Sequence, residues 1–118
     1  MSGPLSGITI LDLTSVISGP LATAILADQG ARVIKVENPS GDSMRMGGAL
    51  NRGVSSLFTA LNRNKDSVVL NLQTEPGISA IKSMVGSADI LIQNYRPGVM
   101  ERLGIGYSDL KAINPQLI

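Results

Sequence analysis

Ile8-Thr9-Ile10-Leu11-Asp12-Leu13 is a short run rich in β-branched side chains and predicts a buried strand. Thr14 to Ser18 turns the chain, and Gly19-Pro20 opens a helix, where proline at the first turn costs no hydrogen bond. Leu21, Ala22, Ile25, Leu26 and Gln29 recur at helical spacing and predict the packed face of that helix. Gly30 is a helix stop. Arg32 to Glu37 then returns as a second strand around Val33-Ile34-Lys35-Val36. Strand, helix, strand in this order make a β-α-β unit, with parallel strands and a right-handed crossover.

The alternation continues. Asn38-Pro39-Ser40-Gly41-Asp42 is turn chemistry, and the Gly- and Met-rich stretch to Gly53 reads as a surface excursion. A short helix is expected over Val54 to Leu61 and a third strand over Val68 to Leu72. Thr74 caps a helix with Pro76 in its first turn and Ile78, Ile81, Met84 and Val85 on one face. Asp89 to Gln93 is the fourth strand. A helix from about Pro97 to Leu103 and one capped by Ser108 over Asp109 to Ile113 follow, until Asn114-Pro115 breaks the pattern. Gln116-Leu117-Ile118 reads as the start of a fifth strand. The fold class is α/β: a Rossmann-like three-layer sandwich with a mostly parallel sheet, cut off after four to five strands.

The chain has 118 residues, which reads as one domain, with ten basic and nine acidic residues. A charge this balanced gives no electrostatic footprint for nucleic acid or for a membrane surface. There is no Cys, hence no disulfide framework, thiolate nucleophile or zinc cluster, and no His, the commonest general base. No basic segment followed by an apolar run marks a signal peptide, and no apolar stretch is long enough for a membrane span. A soluble cytoplasmic protein is the expectation.

Two polar segments stand out: Leu61-Asn62-Arg63-Asn64-Lys65-Asp66-Ser67, and Gln93-Asn94-Tyr95-Arg96-Pro97-Gly98-Val99-Met100. Open α/β sheets hold ligands at the carboxyl ends of their strands. These segments offer amides and cations, which suit a phosphate-rich ligand better than a metal. Arg63, Lys65, Arg96 and Arg102 are candidates to converge on phosphates. The alternative is a set of solvated charges paired with Asp66, Glu101 and Asp109. Asn62, Asn64 and Asn94 serve as well for fixing turns. The turn Ile17-Ser18-Gly19-Pro20 offers free helix N–H groups but lacks the G-x-G-x-x-G spacing. Asp12, Asp28, Asp42, Asp66, Asp89 and Asp109 each have a structural explanation, and none has a glycine-rich platform beside it.

The strand Ile8–Leu13, the Gly19-Pro20 helix start and Gly30-Ala31-x-Val33-Ile34-Lys35-Val36-Glu37 form a set with Asn62-x-Asn64-Lys65-x-Ser67. Ala88-Asp89, Asn94-Tyr95-x-Pro97-Gly98, Arg102-x-Gly104 and Asn114-Pro115 complete it. In this order and near this spacing, the set resembles the amino-terminal part of class III CoA-transferases, which include formyl-CoA transferase, carnitine CoA-transferase and α-methylacyl-CoA racemase. The resemblance implies coenzyme A as ligand and no metal. Its contacts would fall on Ile17 and Ser18, on Asn38, on Leu70, Asn71, Leu72 and Gln73, and on Asn94, Tyr95, Arg96 and Arg102. Some members carry Arg where this chain has Asn38, and many carry Lys or Arg at Gln73. Both changes remove positive charge and imply weaker CoA binding.

Family members are several times longer, and their catalytic Asp lies beyond the matched region. The resemblance therefore implies a detached CoA-binding half, with the catalytic and small domains absent, that holds CoA or acyl-CoA weakly and does not catalyse alone. Two alternatives stand beside it. One is a non-catalytic, self-associating interaction module whose exposed edge strand is covered by a homo-oligomer. The other is one half of a split enzyme completed by a separately encoded carboxyl-terminal half.

Overall fold

The computed structural model describes residues 2–118. Its main sheet has four parallel strands: β1 (Thr9–Asp12), β2 (Arg32–Glu37), β5 (Lys65–Val69) and β6 (Ile90–Ile92), in the order β5-β2-β1-β6. The chain leaves β1 for β2 and β5 on one side, then returns to place β6 on the other. That reversal between β1 and β6 is the topological switch point of an open α/β sheet. A second sheet is the antiparallel hairpin β3 (Leu50–Asn51) and β4 (Val54–Ser55). Its two-residue loop, Arg52-Gly53, has φ 52° and 79°, the left-handed pair that such tight hairpins require.

Helices cover both faces. α1 (Ser18–Asp28) and α2 (Ser56–Leu61) lie on one side; α3 (Glu75–Val85), α4 (Val99–Arg102) and α5 (Tyr107–Ile113) lie on the other. The larger core is on the α3–α5 side, where Leu11, Leu13 and Val36 of the sheet region meet Ile81, Val85, Met100, Ile105 and Leu110. Burying each such aliphatic side chain contributes about 1.5–3 kcal/mol. On the α1 side a smaller cluster, Ile10, Ala27, Ala31 and Val33, occupies the amino half of the sheet.

The carboxyl half of that same face is ionic. Asp12 pairs with Lys65 Nζ at 2.9 Å, the side chains 0% and 1% exposed. Lys35 pairs with Asp42 at 2.9 Å, at 2% and 1%. Glu37 accepts from Arg45 Nε at 2.8 Å, and the Arg45 guanidinium stacks 4.1 Å from the Phe58 ring centroid. Ser67 Oγ also donates to Glu37. Desolvation makes such pairs poor sources of net stability, but removing one partner strands the other.

This ionic layer explains where the structure departs from expectation. The third strand spans Lys65–Val69, not Val68 to Leu72, because the Lys65 side chain is buried against Asp12 and Ser67 Oγ donates to Glu37, while Asp66 meets Arg32 at 3.1 Å. Polar residues thus occupy positions where an apolar run was sought. The packed face of α1 is Pro20, Thr23, Ala24 and Ala27; Leu21, Ile25 and Gln29 face outward. Thr23 Oγ1 donates to Asp12 Oδ2 at 2.6 Å, and small side chains let the helix approach that carboxylate.

Other differences are local. Val54–Ser55 is a strand rather than the start of a helix; α2 begins at Ser56, with Ser55 Oγ accepting from Phe58 N at 3.1 Å. The helix expected from Pro97 shortens to Val99–Arg102, after Gly98 at φ 86°. α5 begins at Tyr107, and Asp109 rather than Ser108 caps it, accepting from Gly106 N at 3.0 Å. The fourth strand is trimmed to Ile90–Ile92. At the chain's last residue Ile118 N donates to Asp89 O at 3.0 Å and Leu91 N donates to Ile118 O at 2.9 Å, the ladder of a neighbour on the outer side of β6.

Candidate functional site: clefts at the carboxyl edge of the sheet

The loops leaving β1, β2, β5 and β6 meet at one edge. Lys35 Nζ reaches the loop after β1, donating to Thr14 O at 3.0 Å, while its ion pair holds Asp42 in the loop after β2. Asp42 Oδ1 accepts from Val16 N at 3.3 Å and Met44 N at 3.0 Å, and Asp42 N donates to Glu37 Oε2 at 2.9 Å. Across the switch point, Ser15 N donates to Asn94 Oδ1 at 3.1 Å and Asn94 Nδ2 donates to Ser15 O at 2.9 Å. The backbone between these ties is strained: Val16, β-branched, sits at φ 73°. Such strain persists only where surrounding contacts over-determine the conformation, and it clusters at functional sites.

Three clefts run along this edge. A cleft of 290 Å³ lies between the loops after β1 and β2, with Tyr95 on its wall. It shares Asn38, Glu37 and Tyr95 with a cleft of 430 Å³ that extends to Asn71, Leu72 and Gln73. That one shares Leu72, Gln73 and Leu103 with a groove of 590 Å³ between α3 and α4, lined also by Lys82 and Arg102.

Of the residues singled out from the sequence, Asn38, Asn71, Leu72, Gln73, Tyr95 and Arg102 line these clefts. Asn71 shapes the wall, its Oδ1 accepting from Gln73 N at 3.1 Å. Ile17 and Ser18, at the start of α1, are exposed and outside the linings, as is Arg96. Leu70 packs against the core. Asn94 is the clamp between two loops. Lys82, in the last turn of α3, was not singled out; its spacing of one turn from Ile78 is the signal the sequence offers.

The four cations do not converge. Lys65 is buried against Asp12, Pro20 O and Asn62 Oδ1, and burial pushes its pKa down. Arg63 is at the opposite end of the sheet, bound to Asp28 at the end of α1, and that guanidinium holds the Asp28 carboxyl below its usual range. Asn64, at φ 63°, donates to the same carboxylate. In the polar segment Leu61–Ser67, Arg63 and Asn64 thus serve structure at the amino edge and Lys65 and Ser67 serve the ionic layer, and only the segment around Asn94–Arg96 borders the clefts.

Electrostatically the cleft floor is settled. Arg45 beside Glu37 holds that carboxyl at about 2, and Glu37 in turn raises the Arg45 pKa. Burial raises the Tyr95 hydroxyl, which stays a neutral donor at physiological pH. The six Asp side chains are all engaged, Asp89 accepting from Thr9 N at 2.8 Å. Among the described residues no group of three His, Cys, Asp or Glu is placed to hold a metal, and no helix is long and apolar enough to cross a membrane. The arrangement offers shape, amides and cations to a ligand.

A parallel α/β sheet with a polar crevice at its switch point defines a ligand-binding class of fold. The profile of CoA-transferase family III matches residues 5–118, and the chain belongs to that family. It is 48% identical over 117 residues to an acetyl-CoA:oxalate CoA-transferase of Acetobacter aceti, covering 98% of this chain and 30% of that protein. It is 43% identical to the human succinyl-CoA:glutarate CoA-transferase, covering 98% of this chain and 27% of that one. Among solved structures, Rv3272 of Mycobacterium tuberculosis superimposes with TM-score 0.93 at 40% identity, over 99% of this chain and 33% of that one. A CAIB/BAIF family protein of Brucella suis gives TM-score 0.93 at 38% identity, over 100% and 32%. The chain therefore spans about 30% of the length of the relatives it matches.

Proposed function

We propose that this chain is the CoA-holding part of a family III CoA-transferase, one domain over residues 1–118, which binds CoA or acyl-CoA weakly in the carboxyl-edge clefts. The observation that carries this reading is the gathering of Asn38, Asn71–Gln73, Tyr95 and Arg102 along one continuous crevice. The ordinary roles of all six Asp side chains support a chain without a poised carboxylate nucleophile of its own. Transfer of CoA between an acyl-CoA and a carboxylic acid would then need an Asp supplied from outside residues 1–118. A cytoplasmic setting fits CoA chemistry.

Calorimetric titration with CoA, with ADP alongside, tests the reading. Saturable binding that Arg102→Ala weakens supports it. No heat of binding at millimolar CoA overturns it.

A second reading, self-association, is favoured by the face of α1. Ile17, Leu21 and Ile25 stand four residues apart and are 48%, 42% and 46% exposed, an apolar stripe without a partner. Sedimentation of wild type against Leu21→Lys reports on it: a dimer that dissociates in the variant favours association, and a monomer in both rejects it.

A further inference from the structure

The Lys35–Asp42 pair is sealed from any ligand, with side chains 2% and 1% exposed. Asp42 Oδ2 has no hydrogen-bond donor and is held by the Lys35 charge alone. Two charges buried this deeply stabilise a fold poorly against an apolar pair of similar volume. What they do hold is the loop after β1. Lys35 Nζ donates to Thr14 O, and Asp42 Oδ1 accepts from Val16 N two residues further on. Between these grips Ser15 is tied to Asn94 through both its N–H and its C=O. Asp42 is itself braced, its N–H donating to Glu37, which Arg45 pairs from the solvent side. Val16 stands at φ 73°, where a β-branched residue pays in steric strain, so the turn relaxes towards extended backbone once the grip is released. Thr14 and Ser15 of this turn line the 290 Å³ cleft, opposite the loop that carries Asp42.

We infer that Lys35 and Asp42 are positioning residues: their buried ion pair locks the Thr14–Val16 turn in its strained form, so that the cleft has its binding shape before a CoA-type ligand arrives. The inference rests on the CoA reading above and adds two residues that act without touching the ligand. A wall preset in this way need not be ordered during binding, and the difference appears as affinity.

The test compares the isotope-labelled 118-residue chain with two double variants. Lys35→Met with Asp42→Ala removes both charges together and leaves Val16 N without its acceptor. Lys35→Met with Asp42→Asn also removes both charges but keeps an oxygen for Val16 N. Far-UV circular dichroism reports folding, calorimetry reports CoA binding, and the Val16 backbone is read by NMR: at positive φ the amide and α protons of a residue lie close and give a strong Overhauser effect. Positioning predicts that the alanine variant loses this signal at Val16 and binds CoA about tenfold more weakly, and that the asparagine variant recovers both. A folded alanine variant that keeps the signal overturns the clamp. One that loses the signal and binds CoA as wild type does overturns the role in binding, leaving the CoA reading intact. Where the alanine variant does not fold, Val16→Pro decides: proline can neither reach φ 73° nor donate to Asp42, while every buried charge stays paired. The same tenfold loss is expected there, and wild-type affinity overturns the inference. Wild type that binds no CoA overturns the CoA reading and the positioning role with it.

Discussion

Removing Asp12 should expose how much of this fold depends on its buried charges. Asp12 is fully buried and accepts from Thr14 N at 2.9 Å, Thr23 Oγ1 at 2.6 Å and Lys65 Nζ at 2.9 Å, with Thr14 Oγ1 as a further donor. Asp12→Ala strands the Lys65 ammonium, whose remaining partners, Pro20 O and Asn62 Oδ1, carry no charge. Breaking a buried pair from one side costs about 3–5 kcal/mol. The two remaining acceptors place the expected loss near 3–4 kcal/mol, a large share of the ~5–15 kcal/mol that holds a domain of this size together. Lys65→Met should cost a similar amount by stranding the carboxylate. The double variant Asp12→Ala with Lys65→Met should cost less than the sum by at least ~1 kcal/mol, since neither charge is then left alone. Urea unfolding followed by far-UV circular dichroism is the assay, as the chain has two Tyr and no Trp. At ~1.5 kcal/mol per molar urea, each single variant should lose about 2 M in midpoint. Single losses below ~1 kcal/mol, or losses that simply add, would refute the reasoning.

Glu37 gives a pH prediction. Its carboxyl sits at about 2 instead of 4.5 because Arg45 donates to it, so the folded state binds its proton more weakly than the unfolded state does. The stabilisation is complete above 4.5 and is lost as pH falls from there towards 2. The full shift corresponds to ~3 kcal/mol, reduced to roughly 1–2 kcal/mol by solvent around Arg45; Glu37→Gln should flatten stability between these pH values. Gly77→Ala should destabilise by about 2–3 kcal/mol despite alanine's better helix propensity, because the new Cβ would lie 1.8 Å from Asn71 O. Thermal melts read that sign directly, and a stabilised variant would contradict the close contact. Asn94→Ala removes both bonds of the loop clamp and should cost about 1 kcal/mol while weakening CoA more than Arg63→Ala does, measured by titration of the two variants.

The strand–helix alternation was legible because Ile8–Leu13, Arg32–Glu37 and Asp89–Gln93 carry the apolar, β-branched signal of buried parallel strands. Where the reading slipped, charge had replaced apolarity inside. Lys65 and Ser67 looked like loop residues because their partners, Asp12 and Glu37, come from distant parts of the chain. α1 looked packed through Leu21 and Ile25, yet the face that must approach a carboxylate closely is built from Thr23, Ala24 and Ala27. Arg52-Gly53, which closes the β3–β4 hairpin, was readable as a two-residue turn but was hidden in a Gly-rich stretch. At the site, only the resemblance to class III CoA-transferases pointed to Asn38, Asn71, Gln73 and Tyr95; the local pattern did not single them out as contacts. Lys82 escaped because a lone lysine on an amphipathic helix carries no local mark; only the fold brings it opposite Arg102.

Amide chemical-shift mapping of the labelled chain with CoA tests the central claim most directly. Binding in the carboxyl-edge crevice predicts concentration-dependent shifts at Asn38, Gln73, Tyr95, Lys82 and Arg102, with Arg32, Arg63 and Asp66 at the opposite edge unmoved. Shifts confined to that opposite edge, or none at millimolar CoA, would contradict it.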